Sequence, residues 1–211
     1  MNITTYDTLQ DAVGVELRRT EYGSAGSNAT ITEEKIALVE ARLQRILRER
    51  EMEYRATASI SSEYVAVPSN FGGVRRLQLN TSPVQLLKYL TPDEMSALWG
   101  SSTSGQPRCF TIINAEFQFA PSPDDTYTAE VIYWKKFDAL SDSNTSNWIL
   151  ASHPDIYFYG TLLHLTGRLV NDPRIPLWKA AWDEAIGELR AQTQHSRYPN
   201  ALEMRSDVSV I

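Results

Sequence analysis

The chain has 211 residues, 42% hydrophobic and 22% charged, with a net charge of −6 and one cysteine, Cys109. It is long enough to bury a core unaided, can form no intrachain disulfide or cysteine-rich zinc site, and holds no apolar run near the roughly 20 residues of a membrane span. The opening MNITTYDTLQDAVG lacks the basic start and apolar block of a secretory leader, so a reducing, cytosolic setting is expected and no membrane partner.

Residues 4 to 19 place Tyr6, Leu9, Val13 and Leu17 at three- and four-residue steps, which predicts a first helix with one buried face. EYGSAGSNAT then reads as a loop. Thr30 and Glu33 have capping-box spacing ahead of a second amphipathic helix carrying Ile36, Val39, Leu43 and Ile46 to about Arg50. From Glu51 the period turns to alternation, through EYVAVP and VRRLQLN, with Pro68 and Gly72-Gly73 as punctuation. Thr91-Pro92-Asp93-Glu94 predicts the start of a short helix with Met95, Leu98 and Trp99 facing inward and a stop at Gly100. CFTIINAEFQFAP reads as a hairpin turning at Asn114-Ala115, and TYTAEVIYWKKF as a longer strand, for about five or six strands in all.

After the polar stretch LSDSNTSN, Ser152, Pro154 and Asp155 suit a helix start. Two apolar stripes follow, Ile156, Tyr159, Leu163 and Val170 on one side and Phe158, Leu162, Leu165 and Leu169 on the other, so this third helix is expected to be packed from several sides. Asn171-Asp172-Pro173 leads to a fourth helix bearing Trp178, Trp182, Ala185 and Leu189 on one face. The connection is short enough to make the last two helices antiparallel neighbours. The predicted class is α+β: a four-helix bundle from two N-terminal helices (1–50) and two C-terminal helices (141–195), an inserted β-rich lobe (51–140), and an extended C-terminal arm (196–211). That arm keeps Tyr198, Leu202, Met204, Val208, Val210 and Ile211, which suits it to lie on a partner, in one form as an added strand.

Candidate chemistry is sparse. His153 and His164 are eleven residues apart, a helical rise of roughly 16 Å, so they cannot share a metal ion. Cys109 opens a predicted strand and reads as a small core residue; the pairs Asp93-Glu94, Asp124-Asp125 and Asp183-Glu184 read as cap, turn and helix-surface residues. There is no Gly-x-Ser-x-Gly elbow, Walker loop or dinucleotide fingerprint, so no catalytic residue, cofactor or metal is assigned. The adjacent basic pairs Arg75-Arg76 and Lys135-Lys136 read as solvated strand ends, and with charge spread evenly tight nucleic-acid binding is not expected. Trp178 and Trp182 read as bundle core. Gly160 and Gly167, each costing roughly 1 kcal/mol against alanine in a helix, predict close neighbours there, with the two tryptophans as occupants.

NWILASHPDIYFYGTLLHL followed by NDPRIPLWKAAWDEAIGEL resembles the C-terminal helical pair of the head-to-tail adaptor (connector) proteins of tailed bacteriophages. The likeness extends upstream through YVAVPSNFGGVRRLQLN, YLTPDEMSALWG, GQPRCFTIINAEFQFAPSPDD and AEVIYWKKFDALSD, over about residues 50 to 190. The resemblance implies a structural virion protein, made in the host cytoplasm, that assembles with itself as a ring of typically twelve copies beneath the portal. It also implies a portal protein and a tail (nozzle or tail-tube) protein as partners, a helical bundle paired with a β-rich lobe, and a C-terminal arm that docks on the portal. On that basis the arm residues are Tyr198, Leu202, Met204, Val208, Val210 and Ile211, and DNA passes through the channel without specific binding, which a weakly acidic ring suits. The alternatives are a tail-completion or tail-tube component and, from another class, a small hydrolase using His153, Asp155 or Cys109.

Overall fold

The computed structural model describes residues 2–99, 103–169 and 172–197. The chain divides into two units, the described residues of Met1–Glu51 and Phe137–Ile211 in one and Met52–Lys136 in the other. Their cores form on different principles.

The first unit is helical: α1 (Tyr6–Glu16), α2 (Ala29–Ile46), α4 (Trp148–Ser152), α5 (Pro154–Leu165) and α6 (Ile175–Arg197). It is not the four-helix bundle expected from the sequence. Five helices lie here among the described residues, and a sixth, α3 (Pro92–Leu98), belongs to the other unit. The extra break has a local cause. Asn147 caps α4 by accepting from the Leu150 amide at 3.0 Å, and the helix stops after five residues at His153, whose φ of −138° leaves the helical region. Pro154, with no N–H to donate, then opens α5. His153, not Ser152, is the N-cap residue, and its side chain makes no capping bond.

The expected faces are largely in place. Tyr6, Leu9, Val13 and Leu17 on α1, Ile36, Val39 and Leu43 on α2, and Trp178, Trp182, Ala185 and Leu189 on α6 are all buried. Gly160 on α5 faces Trp182, while Leu162 and Leu165 share a cluster with Trp178, so α5 and α6 run in opposite directions. The capping box of the N-terminal part is formed by Thr5 with Thr8 on α1. Thr30 forms none, because α2 already begins at Ala29.

Among its described residues the second unit holds two four-stranded sheets, ordered β1-β8-β3-β4 and β2-β7-β6-β5. The strands are β1 (Glu53–Ile60), β2 (Tyr64–Ala66), β3 (Phe71–Leu79), β4 (Gln85–Leu86), β5 (Lys88–Tyr89), β6 (Cys109–Ile113), β7 (Glu116–Ala120) and β8 (Tyr127–Lys135). All pairings are antiparallel except β5 with β6. Eight strands replace the five or six expected, since two-residue strands such as β4 and β5 are too short to show alternation. Ile60, Leu77, Leu79, Ala129 and Val131 from one sheet and Phe110, Phe117 and Phe119 from the other fill one core. The β6–β7 hairpin turns at Asn114 and Ala115, both with positive φ, as a tight two-residue turn demands.

Within this unit Thr91 and Glu94 form a complete capping box at the start of α3. Met95 is buried, but Leu98 is 67% exposed, because a seven-residue helix turns only part of its circumference to the sheet. The expected stop at Gly100 lies outside the described residues. Arg75 and Arg76 are not strand ends. They sit inside β3 and pair with Glu53 on β1 and Glu130 on β8 respectively.

Candidate functional site

The arm residues Tyr198, Leu202, Met204, Val208, Val210 and Ile211 lie outside the described residues, as does all of 198–211; Ser196 and Arg197, at the start of the expected arm, belong to α6. The hydrolase candidates belong to different units, His153 and Asp155 to the helical one and Cys109 to the β one. Cys109 belongs to the β unit, where it is 3% exposed, donates its thiol to the Ala120 carbonyl at 3.2 Å, and has its pKa pushed up by burial. His153 borders a cleft of about 120 Å³ in the helical unit with Glu51, Ser152 and Thr193. Ligand pockets usually run from about 300 Å³ upward. His164, half-buried on α5, has its pKa lowered by desolvation and then by Arg42 and Lys35. Among the described residues no three His, Cys, Asp or Glu side chains gather as metal ligands.

The most developed polar arrangement is a buried clasp in the helical unit. Glu40 on α2 is only 4% exposed, and one of its oxygens accepts from the Leu140 amide at 2.8 Å and from the Tyr157 hydroxyl at 2.9 Å. Asn147 donates to the Tyr157 oxygen at 2.7 Å and to the Asp138 carbonyl at 3.2 Å. Gln44, one turn along α2 from Glu40, donates to the Phe137 carbonyl. Together these bonds fasten the returning segment 137–147 to α2 and α5. Burial raises the Glu40 pKa against the opposing pull of its two donors. The Tyr157 hydroxyl is raised too, first by burial and then by the neighbouring carboxylate. Sequence reading passed over Tyr157 and Glu40. The one available signal was position: Glu40 follows Val39 and falls one turn after Ile36, on the apolar side of α2.

A second cluster ties α1 to α6. Arg174 makes a two-pronged contact with Asp172 at 3.0 and 2.8 Å, donates to the Glu16 carbonyl at 2.6 Å, and lies 4.9 Å from the Trp178 ring centre. The Trp178 indole N–H reaches Glu16 at 3.3 Å.

The β unit supplies surfaces. An open groove of about 410 Å³ runs between Val74, Leu77, Leu86, Tyr89 and Phe110, with Arg75 and Arg76 beside it. Leu86 and Tyr89 are more than half exposed. A cleft of about 350 Å³ lies against α3, β7 and Pro121, where Gln118 donates to Glu63 at 2.7 Å and to the Tyr64 oxygen at 3.0 Å.

A fastened helical unit and a two-sheet unit with exposed apolar side chains make this an α+β protein. The family model described as SU10 adaptor protein matches residues 4–205, and the chain belongs to that family. It is thus a bacteriophage adaptor, a structural component of the virion, in agreement with the head-to-tail adaptor resemblance of its sequence. No curated protein matches the chain. Among the described residues, no helix is long and apolar enough to cross a membrane.

Proposed function

We propose that this adaptor is non-enzymatic and joins the capsid vertex to the tail, as a ring of twelve copies beneath the portal through which DNA passes without specific binding. The observation that carries the reading is the family match over nearly the whole chain. The net charge of −6 supports the last part, since a duplex must slide rather than be held. The segment from Tyr198, with Leu202, Met204, Val208, Val210 and Ile211, is the arm that docks on the portal, and a nozzle or tail-tube protein binds the opposite side of the ring. The test is to mix the protein with portal rings and image the particles with and without residues 196–211. Intact protein should decorate the portal as a ring. Equal docking by the truncated form overturns the arm assignment, and no ring with either form overturns the adaptor reading.

A further inference from the structure

The longest strand edge of the β unit is open. β1 pairs with β8 on one side, and among the described residues no strand pairs with its other side. Eight residues of edge backbone are a template for another strand, which natural proteins normally cover or blunt. β1 carries no proline or bulge along its register with β8. Its two faces differ. Ala56 and Ile60 belong to the core side, as does Tyr54, which packs edge-on to Tyr133 at 5.8 Å yet stays 52% exposed. Arg55, Thr57 and Ser59 form the polar side, with the Arg55 side chain 71% exposed despite its 3.8 Å contact with Glu130.

The sequence contains a segment that fits this edge. From 202 to 211 it reads LEMRSDVSVI, with Leu202, Met204, Val208 and Val210 at even positions and Glu203, Arg205, Asp207 and Ser209 at odd ones, the alternation being broken at Ser206 and at the final Ile211. That is the period of a strand with one apolar and one polar face. Ten residues extended reach roughly 33 Å, more than an eight-residue edge requires. Laid beside β1, the even side chains would extend the core face over Tyr54, and Glu203 or Asp207 would fall on the face of Arg55. Of the other edges, β2, β4 and β5 are two or three residues long, and the part of β3 that β4 leaves uncovered is broken by register shifts between Phe71 and Gly73 and between Val74 and Arg76, so none offers such a run.

We propose that the open edge of β1 accepts residues 202–211 of a second copy as an added strand. Each copy then gives one segment and receives one, and handed on from copy to copy instead of exchanged within a pair the contact is head-to-tail and continues into rings or chains. It goes beyond the portal reading and does not rest on it. A segment held on a neighbour reaches the portal only by exchange, so the two contacts compete.

The test uses the full chain in solution without portal. Sedimentation velocity across a concentration series should show association beyond a dimer, and hydrogen exchange should slow for Tyr54–Ile60 as it proceeds. Excess synthetic peptide 202–211 should dissolve the assemblies while keeping those amides protected. The double variant Val208→Asp, Val210→Asp, altered only outside the described residues, should associate at least tenfold more weakly with an unchanged circular dichroism spectrum. Unaltered association of that variant overturns the proposal. So does association that stops at a dimer, protection at β2, β4 or β5 instead of β1, or β1 protection already complete at the lowest concentration, which would put the segment on its own copy. A chain that stays monomeric at all concentrations overturns it as well, whatever the portal experiment gives.

Discussion

Gly160→Ala is the sharpest test of the helical packing. A β-carbon built at Gly160 falls 2.9 Å from the Trp182 indole nitrogen and 3.0 and 3.1 Å from the two Val39 methyls. Neither neighbour can yield easily. Val39 is 1% exposed and β-branched, and Trp182 is 4% exposed with Arg42 stacked 4.2 Å from its ring centre. In an open helix the substitution would gain roughly 1 kcal/mol of propensity. Overpacking a filled core costs about 1–3 kcal/mol, so the clash wins and the net loss should be about 1 kcal/mol. For a chain of this size that is a fall of about 2–4 °C in the melting temperature, and Gly160→Leu should lose at least three times as much. Gly167→Ala is the control: nothing lies within 4 Å of its β-carbon, because this residue sits in the 3₁₀ turn after α5 and not on the packed face. It should be neutral or slightly stabilising, and the expectation that both glycines admit close neighbours holds for Gly160 alone. Thermal unfolding followed by circular dichroism measures all three. A Gly160→Ala protein that melts at or above the wild-type temperature would refute the close approach of α5 to α2 and α6.

Glu40→Ala strands the buried Leu140 amide and removes the acceptor of the Tyr157 hydroxyl, so it should cost about 2–5 kcal/mol in urea unfolding, and far less as Glu40→Gln, which keeps an acceptor oxygen. Because burial raises the Glu40 pKa above its unfolded value, its contribution is full below the unfolded pKa and is lost as pH rises through the folded one. Glu40→Gln should therefore gain on the wild type as pH rises above the ordinary glutamate pKa of about 4.3, and parallel stability curves would contradict the burial of that charge. Cys109 should react with iodoacetamide well over tenfold more slowly in the native protein than in denaturant, since its thiol is buried and its pKa raised; equal rates would place it at the surface. Thr91→Ala should speed amide exchange at the start of α3 and cost about 1 kcal/mol locally, with the rest of the β unit unchanged.

Periodicity was legible wherever an element was long enough to repeat it. The buried stripes of α1, α2 and α6 are the residues their spacing predicts, and the Thr91 box and the Asn114-Ala115 turn follow from side chains that bond or bend locally. Elements below about two turns or three residues escaped: α4, β4 and β5 have too few positions to show a period. So did groups whose role is set by a distant partner. Arg75 and Arg76 look like solvated charge until β3 is laid beside β8, where Arg76 meets Glu130 and Arg75 meets Glu53 of β1 beyond it. Glu40 looks like one more surface acid of an amphipathic helix, and its partners lie 100 and 117 residues away in the chain.

The sequence by itself determined which faces are apolar, where the chain changes from helical to alternating period, and the kinship with phage adaptors, because these depend on neighbours within a few residues or on residue order. Tertiary structure alone decided that, among the described residues, the helices number six, the strands form two sheets around one core, Glu40 clasps the returning segment, and β1 keeps an open edge. Those outcomes depend on which segments meet across the fold, and long-range pairing leaves no period in the sequence.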